Sequence, residues 1–136
     1  MKLWLDDKRL PLAGYDLWIK TSKEFIDALV KYEGQVEEIS LDHDLGSKDV
    51  TGEGYDVILW LEEQAHSDTY PPLKIIVHTS NTPARNRMLA GAENAYRYWG
   101  YGYYLKPVWI DYEKVKDIGG LDGKWINLDI PEQTLR

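Results

Sequence analysis

Residues 36–44 read VEEISLDHD, and this stretch decides the predicted fold. A strand predicted over Val36–Leu41 ends abruptly in the polar residues Asp42, His43 and Asp44. The same arrangement recurs on both sides of this stretch, where short apolar runs are followed at once by polar residues. These runs are Lys2–Leu5 before Asp6-Asp7, Lys74–Val77 before His78-Thr79-Ser80-Asn81, and Tyr103–Leu105 before Lys106.

Segments with helical spacing separate the runs and are predicted to be helices: Thr21 or Ser22 to Gly34, Tyr55 to His66, and Thr82 to Trp99. With Leu17–Lys20 as a further strand, strands and helices alternate along the chain. This alternation predicts an α/β fold, a mostly parallel five-stranded sheet with helices on both faces. Because the carboxyl ends of parallel strands share one edge, we expect the polar residues to gather there, where such sheets bind ligands.

Length and charge exclude several classes of protein. The chain has 136 residues, a formal net charge of −7 and no cysteine, which predicts a single domain over residues 1–136 and excludes disulfides, zinc ribbons and thiol catalysis. The negative charge argues against duplex nucleic acid as a partner. The longest apolar run, Val57–Leu61, is too short to cross a membrane. We therefore expect a cytoplasmic protein, as a monomer or a homodimer.

The predicted edge carries up to four carboxylates: Asp6, Asp7, Asp42 and Asp44. Unpaired carboxylates in one cleft repel each other, and a hard divalent cation, Mg²⁺ or Mn²⁺, relieves that repulsion. Magnesium is commonly bound by one or two carboxylates together with phosphate oxygens of a substrate. The alternative is that these acid pairs only cap helices or solvate loops.

Groups suited to phosphate oxygens are expected at the same edge. Thr79 and Ser80 offer hydroxyl groups, and Lys106 adds a positive charge. Arg85 follows closely and is within reach of a phosphate at this edge, although an ion pair with Glu93 is an alternative. A metal, an ammonium group and hydroxyls in one place predict a site that handles phosphate.

The order of these motifs resembles that of the two-component receiver domain. Asp6-Asp7, Leu41-Asp42, Thr79 and Leu105-Lys106-Pro107 match the pattern of that family over residues 1–110. The resemblance implies a flavodoxin-like sheet with strand order 2-1-3-4-5. It also implies that Asp7 and Asp42 hold Mg²⁺, that Asp42 accepts a phosphoryl group, and that Thr79 and Lys106 bind this group.

Departures from ordinary receivers resemble a narrower group, the receiver-like domains proposed to process cyclic phosphates in RNA-repair and phage contexts. There is no room for a first helix between Asp7 and Leu17, and His43 stands where receivers continue with an apolar stretch. The matching motifs are Leu5-Asp6-Asp7-Lys8-Arg9, Leu41-Asp42-His43-Asp44-Leu45-Gly46, Gly54-Tyr55-Asp56-Val57 and Val77-His78-Thr79-Ser80-Asn81.

The residues of these motifs suit the chemistry that the resemblance implies. Opening a cyclic phosphodiester needs an activated water and a proton for the leaving oxygen, and His43 or His78 is suited to that role. The alternative is that each histidine is only a structural hydrogen-bond partner. Arg9 and Asn81 are expected on the substrate phosphate, and the aspartates on the metal.

We expect a metal-dependent phosphoesterase acting on a small cyclic nucleotide or on the cyclic phosphate of an RNA end. Three alternatives stay open: sequestration of a cyclic-nucleotide immune signal without turnover, as by phage anti-defence proteins; a phosphoacceptor receiver in signalling; and an interaction module with a vestigial site. Residues 108–136 are predicted to pack on the core as an extension, with a short helix over Asp111–Lys116 and a strand over Trp125–Ile130.

Overall fold

Five parallel strands form a single sheet in the order β2-β1-β3-β4-β5 in the computed structural model, which describes residues 1–101 and 105–117. The strands are β1 (Lys2–Leu5), β2 (Leu17–Ile19), β3 (Glu38–Leu41), β4 (Lys74–Val77) and β5 (Val108–Trp109). The helices are α1 (Ser22–Lys31), α2 (Lys48–Thr51), α3 (Gly54–His66), α4 (Thr82–Trp99) and α5 (Tyr112–Val115). The predicted parallel sheet with this strand order is confirmed.

The central strands β3 and β4 are buried along their whole length, although Glu38, Ser40 and Lys74 stand among their apolar residues. Leu3, Ile39 and Ile75 stand side by side in the register of the sheet, and Trp4, Ser40 and Ile76 stand side by side one residue later. Because successive side chains point to opposite faces, these two rows cover different faces of the sheet.

The three long helices pack side by side on one face. Helix α3 contacts both α1 and α4, as expected when successive right-handed crossovers run in one direction along a sheet. Helix α1 begins after the N-cap Thr21, whose side chain accepts a hydrogen bond from the backbone of Glu24. Helix α4 begins after the N-cap Asn81 and ends at Gly100, which adopts the left-handed conformation typical of helix ends.

No helix lies between β1 and β2, as the short spacing of these strands predicts, and residues 6–16 connect them as a loop. This loop and the short helix α5 cover the second face of the sheet. The Trp4 ring lies 5.1 Å from the Tyr15 ring of the loop and 5.8 Å from the Tyr112 ring of α5. Leu12 of the loop is buried in the same core.

Two features at the carboxyl-terminal side differ from the expectation. The strand that pairs with β4 in the described sheet is Val108–Trp109, which lies beside Ile76 and Val77, and Leu105, the end of the predicted strand Tyr103–Leu105, lies outside any strand. Tyr103 and Tyr104, the other residues of that predicted strand, lie outside the described residues.

The predicted short helix is present as α5. The predicted strand over Trp125–Ile130 falls in residues 118–136, which lie outside the described part of the chain. Among the described residues, no helix combines the length and the apolar character needed to span a bilayer.

Candidate functional site

The ends of β1 and β3 bring three aspartates together at the carboxyl edge of the sheet. One carboxylate oxygen from each of Asp6, Asp7 and Asp42 lies within 4.8 Å of the other two. These residues open onto a pocket of about 440 Å³. Its lining residues are Asp6, Asp7, Lys8, Arg9, Asp42, Asp44, Gly46 and Ser80.

Asp6 is fully buried, and its carboxylate is held by several donors. Its Oδ1 accepts hydrogen bonds from the backbone N–H groups of Lys8 (2.8 Å) and Arg9 (2.9 Å), and its Oδ2 lies 2.9 Å from Nε2 of His78. Burial by itself raises the pKa of Asp6, but these hydrogen bonds outweigh it and hold the pKa below the usual value. Asp6 is therefore a fixed negative charge at the base of the pocket.

Asp42 is also buried, but its negative charge is less well stabilised by hydrogen bonds than that of Asp6. Its Oδ1 accepts a hydrogen bond from the backbone N–H of His43 at 2.8 Å. Burial and the adjacent charge of Asp6 raise the pKa of Asp42 to about 6, against the opposing effects of His43, Arg9 and Thr79. The two neighbouring aspartates are therefore not equivalent, and the charge at Asp42 is only partly neutralised by the protein.

Arg9 is the cation nearest to this pair of aspartates. Its Nη1 lies 3.5 Å from Oδ2 of Asp6 and 3.4 Å from Oδ2 of Asp42, and its Nη2 lies 3.5 Å from Oγ of Ser80. The side chain is 27% exposed, so its guanidinium group is accessible from the pocket. Arg9 can therefore reach a bound phosphate as well as the carboxylates.

The donor atoms fit a hard divalent cation. Three carboxylates within 4.8 Å supply the oxygen ligands that Mg²⁺ and Mn²⁺ prefer. Burial and, after it, the charge of Asp6 raise the pKa of Asp42, and the opposing effect of Arg9 does not offset them. Asp44, which the sequence analysis also placed on the metal, is not part of this group; it lies with His43 and Glu53 in a second group of possible ligands.

His78 lies beneath the pocket and is not among the residues that line it. Its ring is buried, with Nε2 on Asp6 and Nδ1 2.7 Å from Oγ of Ser40, and it stacks on the Trp4 ring at 4.0 Å. Burial lowers the pKa of His78, even though Asp6 acts in the opposite direction. Both ring nitrogens are thus occupied, and the contacts suit a residue that orients Asp6.

His43 is buried as well, and both of its ring nitrogens have partners. The backbone N–H of Tyr55 donates to Nδ1 at 3.3 Å, and Nε2 lies 3.1 Å from a carboxylate oxygen of Glu53. An acceptor role for Nδ1 places the ring hydrogen on Nε2, facing Glu53. The ring thereby links the end of β3 to the start of α3.

The residues after β4 organise the rim of the pocket. Thr79 is buried, accepts a hydrogen bond from the backbone N–H of Asn81 at 3.1 Å and interacts with Asp42. Asn81 caps α4 through Ala84, and its Nδ2 donates to Asp44 at 3.3 Å. Of these predicted phosphate ligands, Ser80 is exposed and lines the pocket itself.

Lys106 and Arg85 are not brought into the pocket. Lys106 comes before β5 and so lies at the amino end of that strand, where its Nζ pairs with Glu93 at 2.7 Å. The prediction that Lys106 closes a strand at the carboxyl edge is therefore wrong. Arg85 lies over the Trp109 ring, with the guanidinium carbon 4.3 Å from the ring centroid.

Sequence reasoning missed Ser40 and Glu53, the partners of the two histidines. Ser40 carried a usable signal, because a hydroxyl within a buried strand needs a hydrogen-bond partner. Glu53 gave no such signal, because its contact with His43 depends on how the loop after β3 folds back.

Comparison with known proteins agrees with the geometry. A family model described as "Cyclic-phosphate processing Receiver domain" matches residues 1–94. No curated protein and no solved structure gives a significant match. The matched residues include β1 to β4 and every residue that lines the pocket. The chain therefore belongs to the family of cyclic-phosphate processing receiver domains.

Proposed function

We propose that this chain is a metal-dependent phosphoesterase that opens a cyclic phosphate. The observation that carries the proposal is the group of Asp6, Asp7 and Asp42, whose carboxylates converge in a pocket that also contains the Arg9 guanidinium. Carboxylates able to hold a divalent cation, next to a cation able to hold a phosphate, are the two parts that phosphoryl chemistry requires.

The reaction is the hydrolysis of one ester bond in the phosphate ring. The oxygen of a water molecule bonds to phosphorus, one ring P–O bond breaks, and the leaving oxygen takes up the proton that the water loses. The bound divalent cation would offset charge at the phosphate and acidify water. Arg9 and Ser80 are placed to hold the phosphate oxygens, because both face the pocket and lie 3.5 Å apart.

The contacts of the histidines favour Asp44 as the group that accepts the water proton. His43 and His78 are buried with both ring nitrogens occupied. Asp44 is exposed, lines the pocket, and stands outside the group of three metal-binding carboxylates. The amide of Asn81 orients its carboxylate at 3.3 Å.

The proposed substrate is a small cyclic nucleotide or the cyclic end of an RNA strand, in the cytoplasm. A pocket of about 440 Å³ is of the size that takes a small ligand. The formal net charge of −7 disfavours contact with a long duplex. Lys106 pairs with Glu93 away from the pocket, so the phosphoacceptor receiver, which needs this lysine at the site, has less support.

Sequestration without turnover is the second candidate function. The same histidine contacts favour it, because a site without a free imidazole has fewer groups to move protons. In that case the pocket would hold a cyclic-nucleotide signal intact, as an anti-defence protein of a phage would.

One experiment separates the two candidates. Purified protein is incubated with Mg²⁺ or Mn²⁺ and a panel of 2′,3′-cyclic phosphates, cyclic mononucleotides and cyclic dinucleotides, and the mixture is chromatographed before and after heat denaturation. A new product that requires metal and is lost in Asp42→Asn supports the esterase. Ligand that disappears and returns intact on denaturation supports sequestration.

Asp27→Asn is the matched control, because Asp27 lies on α1, exposed, with only Lys23 as its ion-pair partner among the described residues. This variant should behave as the unmodified protein does. Unchanged turnover in Asp42→Asn, or no product and no bound ligand across the panel, would contradict the proposed site.

A further inference from the structure

Trp109 is a large apolar side chain that stays partly exposed at the carboxyl edge of the sheet. The residue is 36% exposed, although most aromatic residues of this chain pack in or against the core. Its Nε1 donates a hydrogen bond of 2.8 Å to the backbone oxygen of Thr79, which fixes the ring at the end of β5. Trp109 is therefore held in place and still accessible.

The guanidinium group of Arg85 lies over this ring. Its guanidinium carbon lies 4.3 Å from the ring centroid, within the range of a cation–π contact. Among the described residues, no carboxylate forms an ion pair with Arg85. A planar guanidinium without a carboxylate partner, lying against an indole ring, presents the kind of surface on which nucleobases stack.

The pair lies beside the phosphate pocket. Trp109 bonds to Thr79, and the next residue, Ser80, lines the pocket and lies 3.5 Å from Arg9. Consecutive Cα atoms are about 3.8 Å apart, so the residue to which Trp109 bonds is the chain neighbour of the residue that carries the phosphate-binding hydroxyl. A ligand with its phosphate at Ser80 would carry any attached base toward Trp109.

We propose that Trp109 and Arg85 form a stacking subsite that selects a cyclic phosphate attached to a nucleoside, with a purine preferred. The inference rests on the proposed function, because it adds the substrate class to the same pocket. Stacking depends on the overlap of flat surfaces, so a purine gains more than a pyrimidine, and a cyclic phosphate without a base gains nothing. This role for Arg85 replaces direct binding of the phosphate.

The test compares two probes with the same five-membered phosphate ring, adenosine 2′,3′-cyclic phosphate and glycerol 1,2-cyclic phosphate. Their affinities are measured by isothermal titration calorimetry with Mg²⁺ present; where the protein hydrolyses the probes, the ratio of their kcat/KM values replaces the ratio of affinities. The unmodified protein should bind the adenosine probe about tenfold more tightly, as expected for one stacked base. Trp109→Ala should abolish this preference and leave the affinity for the glycerol probe unchanged.

Two further variants and a control sharpen the result. Trp109→Phe keeps an aromatic ring and should keep most of the preference for the adenosine probe. This variant therefore tests the subsite even if Trp109→Ala folds poorly. Arg85→Ala should weaken the binding of the adenosine probe and leave the binding of the glycerol probe unchanged. Tyr98→Ala is the matched control, because Tyr98 is 51% exposed near the far end of α4 and contacts only the His66 ring among the described aromatic residues.

Equal affinity of the unmodified protein for both probes would overturn the stacking subsite and leave the proposed function standing. The stacking subsite would also be overturned if Arg85→Ala weakened the binding of both probes alike, since that result would place Arg85 on the phosphate. If neither probe binds to the unmodified protein, the proposed function fails and the subsite fails with it.

Discussion

Asp6 and Asp42 show how two identical side chains acquire different properties at neighbouring positions. Asp6 receives three hydrogen bonds, from His78 and from the backbone of Lys8 and Arg9, and its pKa falls. Asp42 is buried next to that charge, and its pKa rises to about 6. The protein thus holds one aspartate as a stable anion and the other as an unfavourable one, which is the state that a cation would relieve.

Asp42→Asn should make the metal-free protein more stable at pH 7.5. The folded-state pKa of Asp42 is raised, so its ionisation costs folding free energy that is absent near pH 4 and complete above about pH 6. Removing the charge should raise the free energy of unfolding by on the order of 2 kcal/mol and the melting temperature by on the order of 5 °C. Melting curves in EDTA from pH 4 to 8 test this.

The stability gained by Asp42→Asn should shrink toward pH 4, because Asp42 of the unmodified protein is itself protonated in the folded state at that pH. Asp27→Asn serves as the control and should shift the melting temperature little, because its only ion pair among the described residues is at the surface. A melting temperature for Asp42→Asn that stays below that of the unmodified protein at every pH would contradict the assigned repulsion.

At the scale of elements, the start of α3 determines where the end of β3 lies. The backbone N–H of Gly54 donates to the oxygen of His43 at 2.9 Å, and a Cβ at position 54 would stand 1.8 Å from the backbone oxygen of Asp42. No side chain fits at this approach. Glycine here therefore allows the helix to press against the strand end that carries Asp42.

Gly54→Ala should disturb the pocket as well as the fold. The new methyl group meets backbone that cannot rotate away, so we expect a loss of more than about 2 kcal/mol of stability and a clear drop in Mg²⁺ affinity in the folded protein. Urea denaturation and calorimetric metal titration measure the two effects.

Gly91→Ala is the matched control for this prediction. Its Cβ would stand 2.5 Å from a side-chain methyl group of Ile58, at the contact between α3 and α4 and away from the pocket. It should lower stability without lowering Mg²⁺ affinity. Equal Mg²⁺ affinity in Gly54→Ala and the unmodified protein would show that the start of α3 does not position Asp42.

At the scale of the whole molecule, the missing helix between β1 and β2 changes what covers the sheet. Residues 6–16 lie over the second face as a loop, and this loop carries Arg9 across the carboxyl edge to the aspartates. The Arg9 guanidinium also lies 5.7 Å from the Tyr112 ring of α5. The loop therefore covers part of the core and also supplies the two basic residues that line the pocket, Lys8 and Arg9.

Binding of Mg²⁺ should stabilise the whole protein. A ligand that binds only the folded state adds about 2.7 kcal/mol when its concentration is one hundred times its dissociation constant. The melting temperature should therefore rise with Mg²⁺ concentration. Asp7→Asn should lose this rise, because Asp7 is the most accessible of the three converging carboxylates. Scanning calorimetry at increasing Mg²⁺ concentrations measures the effect.

An Asp27→Asn variant should keep the full rise in melting temperature. That result would exclude general screening by salt as the cause of the rise. A rise of equal size in Asp7→Asn and in the unmodified protein would mean that the cation binds elsewhere.

Much of this arrangement followed from the sequence. Apolar runs that stop at polar residues predicted β1, β3 and β4, and the rule for strand ends predicted the meeting of Asp6, Asp7 and Asp42. The sequence predicts the fifth strand over Tyr103–Leu105, whereas pairing with β4 places β5 at Val108–Trp109, another short apolar segment. Neighbours in space, not local pattern, decide between two such segments.

The sequence by itself determined the order of strands and helices, the edge at which the polar residues collect, and the absence of a first helix. These depend on periodicity, spacing and charge, which are local properties of a chain. Only the tertiary structure decided that the ring of His43 contacts Glu53 and that the ring of His78 contacts Ser40 and Asp6. It also decided that Arg85 lies over Trp109. Such contacts join residues far apart in the chain, and their geometry exists only once the sheet and its loops have packed.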